Sequence, residues 1–133
     1  MRVVASGYFD PIHVGHIEYL KLAKELGGEL IVIVNNDKQA LQKKGFFFMN
    51  ESERLEVVRN IKYVDDVFLS IDEDKSVCKS LEKLKPDIFA KGGDRNSSNI
   101  PELDVCKKYN IKLVDGLGEK IQSSSDLIKG VKK

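Results

Sequence analysis

The sequence predicts an α/β fold, a Rossmann-like five-stranded parallel sheet with helices on both faces, in a single domain over residues 1–133. Three observations carry that expectation. Short β-rich runs alternate with helix-period runs along the chain. One of the β-rich runs, ELIVIVN at 29–35, is a continuous apolar stretch of the kind a strand buried on both faces requires. A length of 133 residues suits one domain with one packed core.

The elements follow in order. Residues 2–6 (RVVAS) form an apolar run ending at Gly7, a first strand. Ile17, Leu20, Ala23 and Leu26 recur at spacing three within 16–26, an amphipathic helix that Gly27-Gly28 stops. Residues 29–35 are the second strand. Asn50 and Glu53 form a capping pair for a helix whose face is Leu55, Val58 and Ile61. Residues 66–70 (DVFLS) are a third strand. A helix over 75–84 turns Val77, Leu81 and Leu84 inward and stops before Pro86. Residues 87–90 (DIFA) run as a strand into Gly92-Gly93. Pro101 opens a helix to about Tyr109. Residues 111–114 (IKLV) are the last strand, and Ser124 to Val131 a closing helix with a serine cap.

Composition narrows the function classes. The chain is 41% hydrophobic and 32% charged, a soluble globular balance. Lys and Arg number 22 against 21 Asp and Glu, so there is no basic excess to neutralise a nucleic acid backbone, and no nucleic acid partner is expected. No apolar run approaches the ~18 residues of a membrane span, and Met1-Arg2-Val3-Val4-Ala5-Ser6 turns polar too soon for a signal peptide. Cys78 and Cys106 form no CxxC and read as reduced structural thiols. A cytoplasmic location is the expectation.

Open parallel sheets bind ligands beyond the carboxyl ends of their strands, so the residues just after each strand matter most. After the first strand comes Gly7-Tyr8-Phe9-Asp10-Pro11-Ile12-His13-Val14-Gly15-His16. His13 and His16 are the chain's two histidines, three apart at a helix start, where they share a face. Free backbone N–H groups and the helix dipole favour an anion there. Gly15 allows a ligand close to the backbone. Two imidazoles can donate hydrogen bonds to phosphate oxygens as charge builds in a transition state. A zinc site is the rival reading, with no third ligand nearby in sequence.

GYFDPIHVGH resembles the HxGH signature of the nucleotidylyltransferase superfamily, cytidylyltransferase-like family. NNDKQALQKKG, ESERLEVVRNIKYVDDV, DIFAKGGDR and KIQSSSDLIK follow in the family's order, so the resemblance covers about residues 2–130. Glycerol-3-phosphate cytidylyltransferase and heptose-1-phosphate adenylyltransferase are similar members. The resemblance implies an enzyme that joins CTP or ATP to a small phosphorylated alcohol with release of pyrophosphate. The cytidylyltransferase is the first reading; an adenylyltransferase of the heptose-1-phosphate or FAD synthetase type is the alternative. A non-catalytic nucleotide-binding sensor is an alternative of another class.

The resemblance also implies roles. His13, His16 and Lys44 would be catalytic. Tyr8, Phe9, Gly15, Gly92, Gly93, Asp94, Ser123, Ser124 and Ser125 would hold the nucleotide. Lys43-Lys44-Gly45 puts compact positive charge on a flexible loop, suited to an extended triphosphate. Asp94 could accept from the exocyclic amine of cytosine or adenine, and KGGD is closer to the adenylyltransferase form. Hydroxyls and N–H groups at Ser123-Ser124-Ser125 make a second anion cradle. Lys43, Arg54 and Lys62 would face the acceptor phosphate; Arg54 sits in a first helical turn where arginine does not complement the dipole. An arginine found upstream of the serines in the glycerol-phosphate enzyme is missing here, with Lys120 a point-charge substitute. Mg2+ is expected through the nucleotide phosphates, with no protein side chain as ligand. Relatives of this size imply a homodimer. Phe46-Phe47-Phe48-Met49 is an apolar run in a loop that fits an acceptor-pocket roof, a subunit contact or packing on the helix at 51–61.

Overall fold

The computed structural model describes residues 1–92 and 100–117. Its elements, in chain order, are β1 (Arg2–Gly7), α1 (Val14–Gly27), β2 (Glu29–Val34), α2 (Asp37–Lys44), α3 (Glu51–Arg59), β3 (Asp66–Leu69), α4 (Cys78–Leu84), β4 (Ile88–Gly92), α5 (Glu102–Lys108) and β5 (Lys112–Leu117). The strands form one parallel sheet in the order β3-β2-β1-β4-β5. The chain builds outward from β1 to β3 and then returns to lay β4 on the other side of β1. Strand order therefore reverses between β1 and β4, and a crevice opens beyond their carboxyl ends.

Alternation within the central strands explains the continuous apolar run. Leu30, Val32 and Val34 join Val3 and Ala5 on one face of the sheet, under Tyr19, Leu20 and Ala23 of α1 and Val58 of α3. Ile31 and Ile33 join Val4 and Phe89 on the other face, under Val77, Leu81 of α4 and Cys106 of α5. Each strand thus feeds two cores, as a sheet covered on both faces requires.

Several boundaries differ from the sequence expectation. Helix α1 begins at Val14 rather than His16, because His13 is its cap. Its buried residues are Tyr19, Leu20 and Ala23, whereas Ile17 is 39% exposed. Helix α4 starts three residues later than expected, at Cys78. Strand β5 runs three residues further, to Leu117. The serines at 123–125 and the helix expected over 124–131 lie outside the described residues, as do Gly93, Asp94 and Lys120.

The largest departure is α2. The segment leading to Lys43-Lys44-Gly45, expected to be a flexible loop, is helical over Asp37–Lys44 although it buries only Gln39 and Ala40. Its ends carry complete signals. The Asn36 side chain accepts from Gln39 N while the Gln39 side chain accepts from Asn36 N, and Gly45 closes the helix at φ 81°. Lys43 and Lys44 therefore occupy a last helical turn, where positive charge complements the dipole, and not a flexible loop.

Arg54 also departs from expectation. It is fully buried, and its guanidinium joins segments from three parts of the chain. Nε donates to Met49 O at 3.0 Å, and one terminal nitrogen to Tyr8 O at 3.0 Å and Asn35 O at 2.5 Å. The other terminal nitrogen pairs with Asp37 Oδ1 at 2.7 Å. Its place in the first turn of α3 is explained by this strut between the ends of β1, β2 and α2, without any acceptor phosphate. Arg54→Leu is expected to lower unfolding free energy by about 3 kcal/mol, because it strands several buried acceptors at once. Urea denaturation checks this; a loss below about 0.5 kcal/mol, the scale of a surface substitution, would contradict it.

Candidate active site

Helix α1 opens with a capping box built entirely from histidine. Gly15 N donates to His13 Nδ1 at 3.0 Å, and His13 N donates to His16 Nδ1 at 3.1 Å. The rings stack with centroids 3.9 Å apart and planes 26° from parallel. An Nδ1 that accepts a backbone N–H carries no proton, so the proton of each neutral ring resides on Nε2. The cap thereby leaves two Nε2–H donors side by side at the positive end of a helix.

The surroundings hold His16 in that form. Burial lowers its pKa from 6.5 to about 4, and the neighbouring His13 adds to the shift. Protonation would place a hydrogen on Nδ1 and break the cap. The Phe9 ring, 1% exposed, meets His16 edge-on at 5.1 Å. Phe9 takes a left-handed φ of 54° to turn its ring inward. Gly7 leaves room for it, since a Cβ there would lie 2.9 Å from the ring. Phe9 was expected to touch the nucleotide; its ring instead backs the histidine, although the residue lines the cavity.

That cavity is a crevice of about 1030 Å³ over the ends of β1, β4 and β5. It brings together Tyr8, Phe9, His13, Gly15, His16, Lys43, Lys44 and Gly92 among the expected residues. Lys44 Nζ donates to Asp10 O at 2.7 Å and pairs with Asp10 Oδ2 at 3.1 Å. Burial alone would raise the Asp10 carboxyl, but backbone N–H groups of Phe48 and Met49 and the Lys44 ammonium outweigh it and hold the pKa below its ordinary value. Lys43 Nζ stands 4.5 Å from the Tyr8 ring centroid. Two expected acceptor contacts do not line the cavity: Arg54 is the buried strut, and Lys62 is exposed with Nζ 5.1 Å from the Tyr63 ring centroid.

Three contributors escaped the sequence reading. Tyr19 is a buried peg between the ends of β1 and β4: its hydroxyl donates to Ala90 O at 2.5 Å and accepts from Ser6 N at 3.2 Å. A Cβ on Gly92 would meet its ring at 3.0 Å, so that glycine serves close packing against Tyr19. The segment Glu73–Val77 forms another wall, strapped to α2 by Gln39 and Gln42 through the carbonyls of Asp74, Ser76 and Glu73. Glu102, 4% exposed, lines the same wall and accepts from Val77 N at 2.9 Å. The polar pattern of DKQALQ, read as a helix, is the signal that could have found this strap. Among the described residues no group of three or more His, Cys, Asp or Glu could hold a metal ion, and no helix is long and apolar enough to cross a membrane.

Comparisons with known proteins show the family and the fold. The cytidylyltransferase-like family model matches residues 4–125. A protein of Pyrococcus abyssi named FAD synthase is 50% identical over 97 residues, 72% of this chain and 65% of that protein; the chain thus spans under two-thirds of its length. One of Thermoplasma volcanium with the same name is 35% identical over 138 residues, 98% of this chain and 94% of that protein. A crystal structure titled lipopolysaccharide core biosynthesis protein, from Thermoplasma volcanium GSS1, superposes with a TM-score of 0.74 at 35% identity, over 86% of this chain and 94% of that one.

The capping box makes a prediction about protonation. Long-range ¹H–¹⁵N spectra are expected to show both rings as Nε2–H tautomers, with His16 neutral until the pH nears 4. The unfolded chain takes up that proton near 6.5, so stability due to His16 is full above 6.5 and lost as pH falls towards 4. An Nδ1–H tautomer, or a His16 titrating at 6.5, would contradict the geometry.

Proposed function

The chain belongs to the cytidylyltransferase-like family, and from that premise we propose that it is an adenylyltransferase forming FAD from ATP and flavin mononucleotide. The relatives' shared name turns the reading away from glycerol-3-phosphate cytidylyltransferase and towards the FAD synthetase type. The adenylyltransferase-like KGGD segment and the missing upstream arginine support the same direction. FAD is flavin mononucleotide joined to AMP through a pyrophosphate linkage, which sets the chemistry. A phosphate oxygen of the flavin nucleotide attacks the α-phosphorus of ATP, and pyrophosphate departs on the opposite side.

The observation that carries this reading is the pair of Nε2–H donors fixed by the α1 cap. In such a transfer charge spreads over the oxygens of the reacting phosphoryl group, and catalysis is mainly positioning and charge stabilisation. His13 and His16 donate to the α-phosphate oxygens through Nε2–H groups already oriented by the cap. No side chain acts as a nucleophile. Lys44 supplies positive charge at the phosphates. Gly92 and Gly93 let the backbone lie against the base, Asp94 accepts from its amine, and Ser123, Ser124 and Ser125 cradle the outer phosphates. Mg2+ would neutralise phosphate charge; such ions keep few protein ligands, and the nucleotide phosphates would carry it. A homodimer remains part of the proposal on the size of relatives alone.

Incubation with ATP and flavin mononucleotide is expected to release pyrophosphate and form FAD, while CTP with glycerol 3-phosphate gives neither product at comparable rate. His16→Ala should lower kcat by ~100-fold, as loss of one transition-state donor does. Turnover of CTP with glycerol 3-phosphate alone, or a His16→Ala enzyme of unchanged rate, would overturn the reading.

A further inference from the structure

Beside the phosphate-facing lysine, and outside the cavity that holds the histidines, lies an aromatic corner. Phe46 and Phe48 are 50% and 68% exposed, a large apolar area to leave in water. Their rings meet at 89° with centroids 5.1 Å apart. In this edge-to-face pair the ring that supplies the edge offers a face on which a planar aromatic ligand can stack, with its own edge beside the second ring. The corner is built on a fixed base. Asp10, whose side chain is fully buried, accepts from the backbone N–H of Phe48 and of Met49.

The same carboxylate ties the corner to Lys44. That ammonium lies 5.7 Å from the Phe46 centroid and 5.9 Å from the Phe48 centroid. Two of its contacts go to Asp10, and an ammonium has three donors, so one remains for a phosphate oxygen. A ligand satisfying both features has a phosphate at one end, a flat aromatic body at the other and a short flexible chain between.

We propose that Phe46 and Phe48 are the acceptor-specificity site, stacking the isoalloxazine ring of flavin mononucleotide while its phosphate lies against Lys44. The inference rests on the FAD-forming reading and deepens it by naming the groups that choose the acceptor. A phosphorylated alcohol without an aromatic body gains nothing from the corner. The nucleotide side of the crevice, over β4 and β5, does not depend on it.

The test compares the wild-type protein with Phe46→Leu, Phe48→Leu and the double variant, measuring FAD formation at varied flavin mononucleotide and varied ATP, with sedimentation velocity alongside. Leucine at these exposed positions preserves bulk and leaves the Asp10 bonds to the backbone intact. The expected result is a KM for flavin mononucleotide raised about tenfold in the double variant, the scale of a lost aromatic contact. The KM for ATP and the sedimentation coefficient stay unchanged. An unchanged KM for flavin mononucleotide in an active double variant overturns the inference and leaves the FAD-forming reading standing. Equal rises in both KM values overturn it too. A wild-type dimer that dissociates in the variant with the flavin KM unchanged assigns the corner to a second copy of the chain and overturns it as well. A wild-type protein that makes no FAD from flavin mononucleotide fails the underlying reading instead.

Discussion

A neutral imidazole has one nitrogen that accepts and one that donates, and the start of helix α1 uses the accepting nitrogen of both histidines. Backbone N–H groups of His13 and Gly15 occupy the two Nδ1 atoms. A helix start needs partners for its first N–H groups whatever else it does. Here the satisfaction of that need fixes the orientation and tautomer of two side chains, so folding energy itself holds the donors in place. The spacing follows directly. The cap residue is His13, the donor two residues on is Gly15, and the third helical position is His16. Shifting either histidine by one residue would dissolve the box.

The rest of the site is arranged so that this box stays where the sheet delivers it. Phe9 backs His16 from the core, and Gly7 makes room for Phe9. Tyr19, one turn along α1, ties the helix to the ends of β1 and β4, the strands that flank the crevice. On the opposite side Arg54 gathers the loops after β1 and β2, and Asp10 gathers Lys44 with the segment after α2. Two buried charged groups, each satisfied by several partners, thus hold the loops on which cavity-lining residues ride. Unpaired, either would cost more than an apolar residue in its place; fully bonded, they give irregular backbone a single geometry.

What was legible in the sequence divides along physical lines. The parallel sheet was legible because strands buried on both faces write long apolar runs, and β2 does so without interruption. The histidines were legible because chemistry at a strand end has few alternatives. Helix α2 was not, because Ala40 is its one buried apolar residue and its stability comes from end caps and from Gln39 bonding to carbonyls across the chain. Arg54 was misread because its position in the helix is a local fact, while its four partners come from elsewhere in the sequence. The stacking of the two rings and their shared tautomer depend on cap geometry that residue spacing alone leaves open. Phe46 and Phe48 stood out as odd, but only their placement beside Lys44 gives the oddity a direction.

On the proposed function the capped imidazoles aim two N–H donors at the innermost phosphate of a nucleoside triphosphate. A crystal structure with an ATP analogue that cannot be cleaved between its α- and β-phosphates tests it most directly. Both Nε2 atoms are expected within about 2.7–3.2 Å of α-phosphate oxygens, with both Nδ1 atoms still accepting from the backbone. An analogue whose α-phosphate lies beyond reach of both rings, or rings flipped to present Nδ1, would contradict it.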